Sequence, residues 1–379
     1  MKSLRYFALF AVVAVVTALP VTAQPANVWQ MQESGTTAGL RGIDSVDGTN
    51  GMVAWASGTG GTVLRTTDGG AHWQKCAVPD AATDGPTLDF RGVQAWDAQT
   101  AIVMASGPGD KSRLYKTEDG CRTWKLVVEN TSKEGFWDAV IHPRETYGDV
   151  KTPNYVLLVG DPVDGHFDTR DGTILTPGFN WEPTLSLCGA RPGESIFAAS
   201  NSSVVVSGFE SFILATGGKG GGRVVISLLQ QYDPRKPCLS AEVPINHSNE
   251  SSGVFSIAFT DSVMPWKGVA VGGDYLKPND STGTAAYSTD GGKTWHSSTA
   301  PPHGYRSAAQ WSESLKLWIT VGTNGSDISR DDGKTWQPLD NGNWNALSLP
   351  FVVGPDGRIA RLNPGAIPPG SVSRPAVKP

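Results

Sequence analysis

The sequence predicts an all-β protein built from seven repeated units of four short strands, and three observations carry that reading. The first is a set of four near-identical strings: TTDGGAHW (Thr66 to Trp73), TEDGCRTW (Thr117 to Trp124), STDGGKTW (Ser288 to Trp295) and SRDDGKTW (Ser329 to Trp336). Each places a hydroxyl residue two positions before an Asp, then Gly, then Trp at the eighth position, and neighbouring copies recur at about 40 to 50 residues, the length of a four-stranded repeat. The second is a set of seven apolar runs ending in Gly, with the length and composition of buried strands bounded by turns: VAWASG from Val53, IVMASG from Ile102, VLLVGD from Val156, FILATGG from Phe212, GVAVGGD from Gly268, WITVG from Trp318 and FVVG from Phe351. The third is composition. The 379 residues include 45 Gly and 26 Pro with only 18% charged residues, and no stretch keeps a helical period, so many short strands and almost no helix are expected.

Taken in chain order, residues 1–23 read as an export signal: Lys2 and Arg5, an apolar run from Tyr6 to Leu19, and small residues before a cut near Ala23. That run is shorter than the ~20 residues a membrane helix needs, and no later stretch approaches it. An exported, periplasmic or secreted chain without a membrane span is expected. Val28 to Met31 resembles the strand that follows the first box, while the seventh repeat supplies only three strands (Trp344 to Leu349, Phe351 to Gly354, Arg358 to Leu362). Pairing the N-terminal strand into the C-terminal unit would close the ring and remove its open edges. Two units lack a recognisable box, 136–183 and 194–244, with a shortened box suspected near Trp181. The stretch TGGKGGGR from Thr216 to Arg223 lacks the GK[ST] ending of a phosphate cradle and reads as a mobile loop. Residues 364–379 read as a Pro-rich disordered tail.

Within each box the chemistry is that of a turn. Asp68, Asp119, Asp290 and Asp331 accept hydrogen bonds from turn amides, glycines supply positive φ, and Trp73, Trp124, Trp295 and Trp336 bury their rings where one unit stacks on the next. These Asp residues read as structural staples and not as catalytic acids.

The grammar resembles the Asp-box, or bacterial neuraminidase repeat, of β-propellers. That resemblance implies a seven-bladed β-propeller over residues 24–363, with each box at the turn between third and fourth strands. FRGV at Phe90, SRLYKTEDG at Ser112, GDPVDG at Gly160, GGDYLKP at Gly272 and GYRSA at Gly304 are similar to exported propellers of the photosystem II stability and assembly factor-like family. Members of that family are often labelled oxidoreductase, yet no dinucleotide fingerprint, haem motif or metal cluster accompanies the resemblance here. It implies a non-catalytic propeller that holds a partner through an arginine-rich patch, with Arg41, Arg91 and Arg306 as the matching residues.

The candidate site follows from topology. Starts of first strands and loops after second strands share the face opposite the boxes, where the channel opens. That places Arg41, Arg91, Arg306, Trp137 and Asp138 with Asp161, Asp164, Asp274 and Tyr275, and brings Arg113, Arg223 and Tyr305 nearby. Clustered guanidinium groups suit capture of a carboxylate on a sugar acid or a peptide C-terminus, so a protein or glycan ligand is expected. Ion pairs tying blades together are the other use of the same residues. A sialidase-like glycoside hydrolase is the alternative: Arg91, Arg223 and Arg306 would grip the substrate, Tyr275 or Tyr305 would attack, and Asp138 or Asp161 would carry the proton. Against it, the early Arg-Ile-Pro motif is missing and no Glu stands beside either Tyr in the sequence.

The remaining signals are exclusions. A net charge of −5 gives no basic footprint for nucleic acid. No metal-ligand spacing occurs among the six His and four Cys residues, so neither metal nor cofactor is expected, and the reading is of a monomer. Cys76 with Cys121 and Cys188 with Cys238 is the favoured disulfide pairing, with other pairings and free thiols left open.

Overall fold

The protein is described by a computed structural model over residues 27–142, 155–173, 182–183, 188–206, 211–228, 239–260 and 266–369. Its strands form seven four-stranded antiparallel sheets, the blades of a propeller. In six blades the four strands follow one another from channel to rim. The seventh stacks Ala346–Ser348, Phe351–Val353 and Ile359–Leu362 and takes its outermost strand from Trp29–Gln32, with Trp29 opposite Leu362 and Gln32 opposite Ile359. The expected closure by the two chain ends is therefore present. All seven apolar runs are second strands: Ala54–Gly58, Ala101–Ala105, Tyr155–Val163, Ser211–Ala215, Gly268–Asp274, Leu317–Gly322 and Phe351–Val353. Among the described residues the helical segments are three short 3-10 turns.

Each box joins a third strand to a fourth, and its hydrogen bonds explain its residues. In blade one the amide of Gly70 donates to Thr66 Oγ1 (2.9 Å), Thr66 Oγ1 donates to Asp68 Oδ1 (2.9 Å), and the amide of His72 donates to the same carboxylate oxygen (2.9 Å). Thr117 with Asp119, Ser288 with Asp290 and Ser329 with Asp331 repeat the pattern. The turn's orphan amides are thus satisfied by two side chains. The box Trp then leans onto the preceding blade, Trp73 edge-on to Phe351 at 5.6 Å and Trp124 edge-on to Trp55 at 6.5 Å. Seven apolar clusters result, one at each interface between neighbouring blades.

A second set of contacts, not visible in the sequence, runs around the channel. Side chains of the innermost segments tie each blade to the next: Asp44 accepts from the Ala95 amide, Gln94 from His142, Asn201 from Val140, Ser256 from Ala309, Gln310 from Leu349 and Ser348 from Ser45, while Ser202 donates to Ser256. These seven contacts form a closed belt near the box face.

Three expectations change. The Gly-rich stretch is a packed element: Gly217 pairs with Ser195 and Gly253, and a Cβ there would stand 2.0 Å from the Phe197 ring. Glycine is needed for close approach, and the reading as a mobile loop gives way. Blade four's first strand begins only at Val204, so much of the run from Glu194 is irregular and crosses the channel mouth. At the C-terminus, Pro364–Ala366 forms a 3-10 turn and Ile367 packs against the cluster between blades six and seven, so the ordered chain extends past the expected boundary at residue 363. The disulfide Cys76–Cys121 joins blades one and two, with its Cα atoms 5.2 Å apart. Cys188 is also disulfide-bonded, and its expected partner Cys238 lies outside the described residues, as do the export signal, the suspected box near Trp181 and residues 370–379.

Candidate functional site

The channel mouth opposite the boxes holds a cavity of about 540 Å³, built from a recurring backbone irregularity. In blades one, two, three and five the pairing of first and second strands slips once, between Leu40 and Gly42, Phe90 and Gly92, Trp137 and Ala139, and Val254 and Ser256. The residue left unpaired is re-aimed by the bulge. Those residues are Arg41, Arg91, Asp138 and Phe255, and all four line the cavity. Ser307 and Asn345 hold the matching place in blades six and seven. Glycine after the arginine is a packing requirement: a Cβ on Gly42 would sit 2.5 Å from Ser57 Oγ, and one on Gly92 would sit 2.7 Å from Val140 Cγ1.

The cavity has three walls of different chemistry. On the first, Arg91 Nε donates to Asp89 Oδ2 (2.8 Å), Arg91 Nη1 donates to the Ala198 carbonyl (3.3 Å), and Arg41 Nε lies 3.5 Å from the same Asp89 oxygen. Both arginines keep guanidinium hydrogens without a protein partner among the described residues. On the second, Phe197 stacks on Phe255 at 3.8 Å with 2° between the planes, and Tyr305 meets Phe255 edge-on at 4.8 Å. Tyr275 extends this wall to the rim, where it is 48% exposed beside Leu276 at 70%. The third wall is acidic. Asp138 is 1% exposed, and burial, then the neighbouring Asp161, push its carboxyl well above the usual carboxylate range despite the opposing Arg91. Burial also raises Asp161, although its Oδ1 accepts from the Ile196 amide at 2.8 Å.

Buried polar atoms without a hydrogen-bond partner collect at this cavity: Arg41 Nε, Asp138 Oδ2 and Thr323 Oγ1 all belong to lining residues. Such atoms are rare in folded proteins, and each is a donor or acceptor left open beside the cavity. The box-side mouth holds a smaller cavity of about 350 Å³, but several of its polar side chains already serve the interblade belt.

The structure brings together Arg41, Arg91, Asp138, Asp161, Tyr275 and Tyr305. Arg306 stands apart, for a register reason. Its amide donates to the Gly272 carbonyl of the preceding blade just as Leu40 donates to Gly354 and Trp344 to Gly322, so Arg306 matches Leu40, and Ser307 matches Arg41. A one-residue slip turns the side chain inward. Arg306 is fully buried, bound through Nε (2.7 Å) and Nη2 to Asp327 Oδ2. Arg223 is likewise committed, donating to both oxygens of Glu194 at 2.7 and 2.8 Å. Arg113 donates to Asp84 at 2.7 Å, away from the cavity. The indole of Trp137 donates to Asp168 at 3.0 Å. Asp274 is buried and accepts from Ser251 and Asn249, and Asp164 sits exposed on a hairpin turn with φ of 51°. The sequence reading missed Asp89, Phe255 and Ser195–Ala199; the bulge that aims Phe255 shows only in the strand register, and the irregular segment carries no local signal.

The model of the BNR/Asp-box repeat matches residues 286–297. No curated protein matches the chain in sequence. Among solved structures, YCF48 from Cyanidioschyzon merolae aligns with a TM-score of 0.58 at 19% identity, covering 89% of this chain and 99% of that one. A second, YCF48 bound to D1 peptide, aligns with a TM-score of 0.57 at 13% identity, covering 92% and 99%. The repeat match and the two structural likenesses identify the chain as a seven-bladed Asp-box β-propeller with the fold of YCF48.

Proposed function

We propose that this propeller is a non-catalytic binding protein that captures a segment of a partner protein at the mouth opposite its boxes, with a carboxylate held by Arg41 and Arg91. The observation that carries this reading is the pair of arginines on adjacent blades, re-aimed by equivalent bulges into one cavity and left with unused donors. Guanidinium groups so placed match the two oxygens of a carboxylate. The exposed Tyr275 and Leu276 at the rim give an apolar landing for the neighbouring residues of the same segment. That one structure of this fold is of YCF48 bound to D1 peptide is in keeping with a peptide partner. An assembly-factor-like role in an exported compartment fits the same reading.

The hydrolase alternative is disfavoured by the site itself. Two of its three gripping arginines, Arg223 and Arg306, are locked in buried ion pairs. Burial raises the hydroxyl of Tyr305, and no carboxylate hydrogen-bonds to Tyr275 or Tyr305 among the described residues, so neither is activated for attack.

The test separates ligand capture from stability. In Arg91→Ala, binding of peptides with a free C-terminal carboxylate should fall at least tenfold while the melting temperature moves by no more than a few degrees. Arg306→Ala should do the reverse, losing about 3–5 kcal/mol of stability because buried Asp327 loses its guanidinium partner and keeps only the contacts of His303. Unchanged peptide affinity in Arg91→Ala, or free-acid and amidated peptides binding alike, would overturn the reading.

A further inference from the structure

The arginine wall accounts for an anion, but the acidic wall beside it remains unexplained. Asp138 is almost wholly buried, lines the cavity, and presents an oxygen with no hydrogen-bond partner. Asp161 lines the same cavity, and only one of its oxygens has a partner, the Ile196 amide, among the described residues. Neither Arg41 nor Arg91 forms an ion pair with Asp138 or Asp161; both lean toward Asp89. Although the Asp161 and Ala198 amides serve the Asp138 carboxyl, its buried Oδ2 has no donor, which costs stability, so its retention in a cavity implies a donor that arrives with the ligand.

Position narrows that donor. Arg91 and Asp138 hold the same bulge place on adjacent blades, so the anionic and cationic demands of the site are neighbours. The stacked rings of Phe197 and Phe255 line the same cavity as an apolar wall. A ligand satisfying all three offers a carboxylate, a cationic nitrogen within one residue of it, and an apolar stem. We infer that Asp138 and Asp161 form a cation-selective pole of the pocket, and that the captured segment ends in a residue with a positively charged side chain, Lys or Arg. The α-carboxylate sits on Arg41 and Arg91, the methylene stem crosses the aromatic wall, and the charged nitrogen donates to Asp138 Oδ2. This deepens the proposed carboxylate capture and rests on it.

Four probes test the pole: acetyl-Gly-Ala-Ala-Phe-Lys with a free carboxylate, its norleucine counterpart, and the amide of each, measured by calorimetry on the full protein. A charge-assisted hydrogen bond to a buried carboxylate predicts about tenfold tighter binding of the lysine acid than of the norleucine acid. In Asp138→Asn, close to isosteric, that preference for the lysine acid should vanish. Asp161→Asn should weaken the preference in the same direction and guards against a folding defect in the first variant. Equal affinity of the two acids, or a preference that persists in Asp138→Asn, overturns the cationic pole. If the acids then still bind better than the amides, carboxylate capture stands without it; if none of the four binds, both fail.

Discussion

At the residue scale, the protein holds two kinds of charge that look alike in the sequence and differ in use. Arg306 and Arg223 are structural, because each supplies the guanidinium partner of a buried carboxylate. Arg41 and Arg91 share one partly exposed carboxylate and keep donors open. Asp138 is the counterpart on the acidic side, and its effect on stability has a definite sign. Since burial and Asp161 raise its folded pKa, its favourable contribution is complete below the ordinary carboxylate range near 4 and is lost as pH rises through the raised value. Asp138→Asn should therefore raise the melting temperature at pH 7 and leave it nearly unchanged at pH 3, as read by differential scanning calorimetry. A lower melting temperature at pH 7 would show that a partner stabilises the ionised form.

At the element scale, the box and the bulge explain what could and could not be read beforehand. The box is legible because the hydrogen bonds of its hydroxyl and Asp side chains close within eight residues, and the second strands are legible because burial on both faces demands an unbroken apolar run. The bulge depends on pairing between strands, which a string does not display. LRGI, FRGV and YRSA look equivalent, yet only the first two place Arg at the re-aimed position. Phe255 escaped notice because one more apolar residue in a strand carries no signal, and Glu194 because its partner Arg223 is distant in sequence. The box also sets an acid limit. Hydrogen bonds from the His72 amide and ring hold the Asp68 carboxyl down at about 2, so its contribution is in place above the ordinary range near 4 and is lost as pH falls toward 2. Stability should decline over that window, and Asp68→Asn, neutral throughout, should decline less steeply. An equal slope would mean that other carboxylates dominate acid unfolding.

At the scale of the whole molecule, closure makes the site possible. Six blades supply the bulge-position residues of one cavity, so the arginines meet the aromatic wall only if the ring is shut. The N-terminal strand in blade seven and the belt from Asp44 around to Ser45 shut it. Among the described residues no helix is long and apolar enough to cross a membrane. The central claim, that ligand enters at the mouth opposite the boxes, is tested most directly by hydrogen–deuterium exchange with and without the tightest-binding peptide of the four. The account predicts slowed exchange at residues 40–42, 90–92, 195–199 and 274–276. Protection confined to the box-side mouth, around Asn201, Trp311 and Leu347, would contradict it.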